Sequence, residues 1–296
     1  MTIPMNRRDF LKASGAAATA AALAISAAAD DQPAPKRKIK KAMMYATIGM
    51  KGSVLEKFQA LKDAGFEGVE PMSHMNRDEV LKALEETGLK AASVCCDTHW
   101  AKPLSHPDEK VRRVGREGLQ RALQDAKHYG ASSVLLVPGV VNKDVSYDDC
   151  FTRSVAEIRQ VVPVAKDLDV KIAIENVWNN FITKPEQAIA FLDAIDSPEH
   201  VGWHFDIGNV IKYGQPEDWI PVLGKRILKL HIKEFGIAKQ FNVQFFEGDN
   251  HWPAIMKALD AIGYDGWGIT EQPGNQTKDP ATIKEFSKQL DRVFAS

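Results

Sequence analysis

The sequence predicts an α/β protein of the (β/α)8 TIM barrel class, built as a single domain. From residue 41 onward, short apolar runs rich in β-branched and aromatic residues alternate eight times with longer segments of helical periodicity. Eight strand–helix units in about 255 residues match the length of one such barrel. A doubly wound open sheet is the alternative, but no G-x-G-x-x-G sequence follows the first predicted strand, so a dinucleotide-binding sheet lacks its main signature.

The predicted strands are short apolar runs bounded by glycine, proline or polar residues. Their ranges are Lys41–Ile48, Gly68–Met72, Lys90–Cys96, Ser132–Pro138, Lys171–Asn176, Val201–Ile207, Ile227–Glu234 and Gly266–Gln272.

The helices between them are predicted from apolar residues at helical spacing and from their end signals. Gly88 and Gly130 are expected just past helix ends, and Pro185 and Pro280 at helix starts. The predicted ranges are about Val54–Leu61, Val80–Leu84, Glu109–Tyr129, Tyr147–Leu168, Pro185–Ile195, Glu217–Leu223, Pro253–Ile262 and Pro280–Phe294.

The first 29 residues predict a twin-arginine signal peptide. Arg7 and Arg8 precede an Ala-rich apolar run from Ala13 to Ala29, which ends in a small-residue cleavage site. A short membrane anchor is the alternative, although the run is short and poor in large apolar residues. Residues 30–40 are predicted to be a linker and residues 41–296 the barrel. We therefore expect a periplasmic protein without stable membrane insertion after processing.

Composition excludes several classes of partner. The net charge is −1, with 44% hydrophobic and 26% charged residues, so no strong field attracts nucleic acid or an anionic membrane. The three cysteines are an odd number, and Cys95 and Cys96 are adjacent in an apolar run. They predict buried thiols and neither a disulfide framework nor a thiolate metal site.

Four predicted strands end in side chains that bind metals. Glu175 ends KIAIE, Asp206 ends GWHFD, His231 ends ILKLH and Glu271 ends GWGITE. The carboxyl ends of barrel strands meet at one mouth, so these side chains are expected to converge. Three carboxylates and one imidazole suit one divalent ion, with Mn²⁺ favoured and Mg²⁺, Co²⁺ or Zn²⁺ as alternatives.

A solvated strand terminus is the ordinary explanation for one such glutamate. Four ligands of suitable chemistry on four consecutive strands are difficult to obtain by chance, so the metal site is the stronger hypothesis.

Strand alternation adds substrate-binding candidates. Lys233 shares the inward direction of His231, and His204 shares that of Asp206 one layer deeper. The alternative for Lys233 is a solvated lysine at a strand end. His204 is either a residue that orients a metal ligand or a core histidine whose hydrogen bonds are satisfied. Asn209 either caps a helix or binds substrate. The further candidates lie at strand ends or in the loops at the mouth: Glu70, His74, His99, Trp178 and Glu247.

The motifs E-N, F-D-I-G-N, L-H-I-K-E and T-E resemble those of the xylose isomerase-like TIM barrels, over residues 40–294. This superfamily includes sugar-phosphate isomerases and epimerases and the family-2 AP endonucleases, and the motifs are most similar to those of ketose 3-epimerases. The resemblance implies one divalent ion on the four ligands and proton transfer by Glu175 and Glu271. The chain departs at Asn209 and Lys233, where tagatose-type epimerases have a histidine and an arginine nearby, so the identity of the substrate stays open.

We therefore expect a metal-dependent sugar isomerase or epimerase that transfers a proton through an enediolate stabilised by the metal. An exported lyase acting by β-elimination on 3-keto sugars or glycosides is the first alternative. A non-catalytic exported sugar-binding protein is the alternative from another class. A nuclease is disfavoured because the extra metal ligands of a trimetal site cannot be assembled. The expected partner is a small sugar, and a homo-oligomer is possible.

Overall fold

The computed structural model describes residues Arg37–Ser296. Its strands are all parallel and form one sheet of nine strands. The sheet order is β3-β2-β1-β9-β8-β7-β6-β5-β4, and every neighbouring pair is parallel. The strands are β1 Lys40–Met44, β2 Gly68–Glu70, β3 Lys90–Ala91, β4 Val94–Cys95, β5 Ser133–Leu136, β6 Lys171–Glu175, β7 Val201–Asp206, β8 Ile227–Ile232 and β9 Trp267–Thr270.

The two edge strands of this sheet, β3 and β4, are the two halves of one predicted strand. The edges of the sheet therefore lie next to each other, and the sheet is a nearly closed barrel. β3 and β4 are separated only by Ala92 and Ser93. The amide of Ala92 donates to Val69 of β2 at 2.8 Å, and the amide of Cys96 donates to Leu135 of β5 at 3.1 Å. The predicted barrel class is therefore confirmed.

Helices connect the strands and cover the outside of the barrel. Gly88 and Gly130 terminate two of them with φ of 70° and 74°, a left-handed conformation that glycine adopts without steric cost. The helices are α1 Val54–Asp63, α2 Arg77–Thr87, α3 Glu109–Tyr129, α4 Tyr147–Leu168, α5 Pro185–Ile195, α6 Ile207–Val210, α7 Pro216–Leu223, α8 Trp252–Ala261 and α9 Pro280–Ala295.

All eight predicted strands are shorter in the structure than predicted, and for two of them the local reason is clear. β1 ends at Met44, where a 3₁₀ turn of Tyr45–Thr47 begins. β7 ends at Asp206 because this residue caps α6, with its side chain accepting a hydrogen bond from the amide of Asn209. The predicted strands ran too far because the apolar pattern continues into the next residues. One turn of helix is too short to show a helical pattern that would mark the strand end.

Side-chain alternation divides the core into two layers. Trp203 and Phe205 of β7 are fully buried in the layer between the sheet and the helices. His204 and Asp206 of the same strand have the opposite direction and lie in the barrel interior. The apolar part of that interior is a small cluster: Ala42, Met44, Ala92, Cys95, Leu135 and Ile269. Polar side chains fill the remainder, so the barrel places charged groups where most proteins place hydrocarbon.

The signal peptide and its cleavage site fall outside Arg37–Ser296, so the predicted domain boundaries stay predictions. Among the described helices, none combines the length and the apolar character needed to cross a bilayer.

Glu157 offers a test of how α3 and α4 are held together. Its buried carboxylate accepts from Arg112 Nε at 2.7 Å and pairs with Arg116, both on α3. Glu157→Gln leaves Arg112 without a counter-ion and Arg116 with only Glu109, at 3.7 Å, so we expect the free energy of unfolding to fall by about 3 kcal/mol. Urea denaturation measures this loss.

The matched control is Glu285→Gln, since Glu285 and its partner Lys288 are both 63% exposed. We expect it to change stability by less than about 0.5 kcal/mol. Equal effects of the two substitutions would contradict the role given to Glu157.

Candidate metal and sugar site

Four predicted ligands converge at the carboxyl ends of adjacent strands. The Nδ1 atom of His231 lies 2.9 Å from Glu175 Oε1, 3.4 Å from Glu271 Oε2 and 3.9 Å from Asp206 Oδ2. One atom from each of the four side chains lies within 4.8 Å of the others. The register places Asp206 directly opposite His231, which is why both side chains reach the same point.

Burial and the closeness of several acidic groups shift the pKa values of the side chains in this cluster. Burial raises the pKa of Glu175 to about 7 and that of Asp206 to about 6, although His231 and Lys233 respectively oppose these shifts. Burial alone would lower the pKa of His231, but Glu271, Glu70 and Glu175 outweigh it and raise the pKa well above its usual range. The side chains therefore hold protons that a divalent cation would displace.

The donor set fits such a cation. Three carboxylates and one imidazole nitrogen are the ligands of Mn²⁺, Mg²⁺ and other hard or borderline ions, and close approach of three carboxylates is costly without one. The ligands would be Glu175, Asp206, His231 through Nδ1, and Glu271.

Lys233 points into the cluster, as strand alternation predicts. Its ammonium donates to Glu271 Oε2 at 2.6 Å and to Asp206 Oδ2 at 3.3 Å. Burial would raise the pKa of Glu271, but Lys233 and His231 outweigh burial and hold that pKa well below its usual range. Glu271 is therefore ionised, whereas Glu175 readily takes up a proton.

Glu70 and His204, two of the predicted substrate-binding residues, lie below His231 in the barrel interior. Both are fully buried, and Glu70 Oε2 lies 3.0 Å from His231 Nε2. The rings of His204 and His231 have centroids 4.2 Å apart. An Nε2–H donated to Glu70 leaves Nδ1 of His231 free for a metal, so Glu70 fixes the tautomer of this ligand.

Two carboxamides hold Asp206, one through its backbone and one through its side chain. Asn176 Oδ1 accepts the amide of Asp206 at 3.0 Å, and Asn176 Nδ2 donates to its carbonyl at 2.8 Å. Asn209 Nδ2 donates to Asp206 Oδ2 at 2.8 Å. Asn209 thus contacts a candidate metal ligand from within α6, the helix that Asp206 caps, and it also lines the cavity described next.

A cavity of about 220 Å³ opens above the cluster. Four of the predicted substrate-binding residues line it: His99, Trp178, Asn209 and Lys233. Glu175 and Glu271 form part of its polar side. The remaining lining residues were not predicted: Met44, Cys95, Trp100, Leu135, Val177 and Phe241.

His99 is a neutral hydrogen-bond donor in this cavity. Its Nδ1 accepts the amide of Val137 at 3.2 Å, so the proton resides on Nε2. Burial lowers the pKa of His99 to about 4, and the ring is therefore uncharged at neutral pH. An uncharged N–H group suits a sugar hydroxyl or carbonyl oxygen.

Aromatic rings connect the cluster to the rim. The ammonium of Lys233 lies 4.5 Å from the ring centroid of Phe241, and the rings of Phe241 and Trp178 have centroids 4.9 Å apart. Lys212 covers Trp178 at 4.7 Å. Trp178 is fixed by its indole N–H, which donates to the carbonyl of Asn209 at 2.9 Å. This wall shields Lys233 from water.

His74 and Glu247 do not line this cavity. His74 has a φ of 67°, and its Nδ1 lies 2.6 Å from Asp97 Oδ1, which ties the ring to the neighbouring loop. Glu247 is exposed and lines a different cavity. Both residues follow strands in the sequence, but their loops direct the side chains elsewhere.

The unpredicted residues differ in how much signal they leave in the sequence. Met44, Cys95 and Leu135 are inward-facing apolar residues that strand alternation could have identified. Phe241 lies nine residues beyond the end of β8, in a loop whose path no periodicity predicts. Asn176 directly follows Glu175, and its amide role depends on contacts with β7.

Comparison with known proteins gives concordant results. Residues 58–292 match the family described as xylose isomerase-like TIM barrel, and residues 4–24 match the signal sequence of the twin-arginine translocation pathway. The latter match confirms the predicted signal. L-ribulose-5-phosphate 3-epimerase UlaE of Escherichia coli strain K12 is 26% identical over 258 residues, covering 81% of this chain and 89% of UlaE.

Two solved structures illustrate the similarity of fold. The apo form of the 3-keto-D-glucoside 4-epimerase YcjR from E. coli superposes with a TM-score of 0.74 at 20% identity, covering 86% of this chain and 98% of YcjR. D-allulose 3-epimerase from Methylomonas sp. in complex with D-allulose has a TM-score of 0.72 at 18% identity, covering 88% of this chain and 98% of that structure.

Glu70→Gln tests the support given to His231. The amide keeps an acceptor for Nε2–H but removes the charge, so we expect Mn²⁺ affinity to fall about 10- to 100-fold. Isothermal titration calorimetry on the mature protein measures it. Glu85→Gln, on the exposed face of α2, is the control and should bind Mn²⁺ like the parent. Unchanged affinity in Glu70→Gln would contradict this role.

His99 gives a pH-dependent prediction. The folded protein resists protonating this ring, whose pKa moves from 6.5 to about 4, so the stability that neutral His99 contributes is complete above pH 6.5 and is lost as pH falls towards 4. His99→Gln retains an acceptor for Val137 but cannot titrate. We expect the loss of unfolding free energy between pH 7 and pH 4 to be smaller by about 3 kcal/mol in the variant. Parallel stability–pH curves would refute this.

Proposed function

The chain belongs to the xylose isomerase-like TIM barrel family, and we propose that it is an exported, divalent-metal-dependent sugar epimerase or isomerase. The observation that carries the proposal is the convergence of Glu175 and Glu271 on one cavity, beside His231 and Asp206. Two carboxylates of different proton affinity at one site are what a reversible proton transfer requires. The relatives are named as sugar epimerases, which supports the same reaction class.

A divalent ion, with Mn²⁺ favoured, would supply a Lewis acid for the carbonyl and a neighbouring hydroxyl of the sugar. Glu175 and Glu271 would then carry out the two steps of the proton transfer. One glutamate removes the proton from the carbon beside the carbonyl, which gives an enediolate, and the other returns a proton to the opposite face. Before an ion binds, the low pKa of Glu271 and the pKa of about 7 of Glu175 give the two carboxylates different affinities for a proton.

The sugar would be positioned by uncharged hydrogen-bond donors and by Lys233. The Nε2–H group of His99 is directed by the bond that its Nδ1 accepts, and can hold a sugar oxygen without adding charge. Lys233 reaches Glu271 and would also be within reach of an oxygen that gains charge beside that carboxylate. Met44, Cys95 and Leu135 form the apolar side of the cavity, which limits water around the reacting carbons.

The favoured substrate is a sugar without a phosphate group. Lys233 is the one lysine or arginine among the described residues lining the cavity, and its ammonium is already paired with Asp206 and Glu271. Trp100, Trp178 and Phe241 offer rings that suit the C–H faces of a neutral sugar. Export also favours this substrate class, and we propose the periplasm as the working compartment, in line with the twin-arginine signal.

Deuterium incorporation tests the proposal. Mature protein loaded with Mn²⁺ is incubated in D₂O with free ketoses, ketose phosphates and 3-keto-glycosides, and each product is analysed by chromatography and mass spectrometry. We expect one deuterium at the carbon beside the carbonyl of a free sugar. Glu175→Gln and Glu271→Gln should each lower exchange by at least about 100-fold, because each removes one proton carrier.

Glu199→Gln, an exposed glutamate away from the cavity, should exchange at the parental rate. The product identifies the reaction, since a new epimer, an aldose or an unsaturated sugar indicates epimerase, isomerase or lyase. Exchange that persists in both glutamine variants, or no exchange on any sugar despite bound Mn²⁺, would contradict the proposal and favour a sugar-binding protein.

A further inference from the structure

A second cavity lies on the outer side of the loop that follows β8. It encloses about 400 Å³ between this loop, the loop after β9, and α9. Its lining residues are Asn242, Val243, Gln244, Glu247, Asn275, Gln276, Thr282, Glu285, Phe286 and Gln289. The catalytic machinery described above uses none of them.

Carboxamides dominate the chemistry of this cavity. Five lining side chains are asparagine or glutamine, and each offers two N–H donors and one acceptor oxygen. The hydroxyl of Thr282 is bonded to Asp279 in the cap of α9, and the buried side chains of Val243 and Phe286 supply an apolar floor. Among these lining residues no lysine, arginine or histidine occurs, and Glu247 and Glu285 are acidic. A phosphate or carboxylate would therefore be repelled.

The amides of this cavity are only partly satisfied by the protein. Gln289 Nε2 donates to Gln244 Oε1 at 3.2 Å, but Gln289 Oε1 has no hydrogen-bond partner within the described chain. The Asn275–Asn242 contact is long, at 3.5 Å. A buried amide atom without a partner is uncommon in folded proteins, which suggests that a ligand completes the set.

The same loop connects this cavity to the catalytic one. Asn242 faces the outer cavity, and the preceding residue, Phe241, covers Lys233 in the inner one. Gln240 and Phe246, at either end of this segment, have φ of 59° and 71°. Left-handed backbone at non-glycine residues costs energy and tends to occur where function requires it.

We propose that the outer cavity binds a neutral sugar unit. Amide groups would hold its hydroxyls, and the apolar floor would contact its C–H face. The unit is either a separate monosaccharide or the outer unit of a longer glycan, since both present the same hydroxyls. This inference concerns a site distinct from the proposed active site and does not depend on turnover.

Saturation-transfer NMR on the mature chain tests this site with D-glucose and cellobiose as probes. We expect signal transfer to at least one probe, and at least a tenfold weaker affinity in the double variant Gln244→Leu/Gln289→Leu. Gln124→Leu, on the exposed face of α3, is the matched control. Trp100→Ala, which alters the catalytic cavity, should leave this binding unchanged, so failure of the active-site proposal is measured separately.

Which of the two sugars binds shows whether the site takes a free sugar or the outer unit of a glycan. Binding of both sugars indicates a site for a free sugar, and binding of cellobiose alone indicates a site for the outer unit of a glycan. The single variant Gln244→Leu keeps the test valid if the double variant does not fold, because Gln244 is exposed. Absence of transfer to either probe, or undiminished binding in folded variants, would overturn the proposal.

Discussion

The packing of carboxylates around His231 in the barrel interior is the constraint on which the rest of the site depends. Each buried charge costs several kcal/mol of solvation, and neighbouring carboxylates repel one another strongly where water is scarce. Glu175, Asp206 and Glu271 surround Nδ1 of His231, and Glu70 contacts Nε2. Lys233 and a protonated His231 offset part of this charge, and a divalent cation would complement the rest. A site of this kind sacrifices stability for an electrostatic field that chemistry can use.

The scaffold holds these groups without leaving the ligands free to move apart. Parallel register sets the spacing of Asp206 and His231, and the carboxamide of Asn176 binds both backbone polar groups of Asp206. Support of this kind holds a ligand in position, which is what a metal site needs for affinity and selectivity. The loop after β8 also contacts the site, because its Phe241 ring lies over the ammonium of Lys233. Gln240 and Phe246 of this loop have left-handed backbone conformations.

The parts predicted from sequence are those that periodicity and strand direction encode. Eight strand–helix units gave the barrel, and alternation placed His204, His231 and Lys233 on its inner face. Sequence patterns failed where tertiary contacts decide. The hydrogen bond from the amide of Asn209 to the Asp206 side chain ends β7 earlier than the apolar pattern does. Loops directed His74 towards Asp97 and Glu247 into the outer cavity, and they brought Trp100 and Phe241 into the inner one. Side-chain position in a loop depends on packing partners that the local sequence does not contain.

Anomalous diffraction from crystals of the mature protein grown with Mn²⁺ would locate the ion. We expect one strong anomalous peak among Glu175, Asp206, Glu271 and Nδ1 of His231, with the ammonium of Lys233 outside the coordination sphere. An absence of any peak between these four side chains at saturating Mn²⁺, or a peak confined to another part of the molecule, would contradict the account.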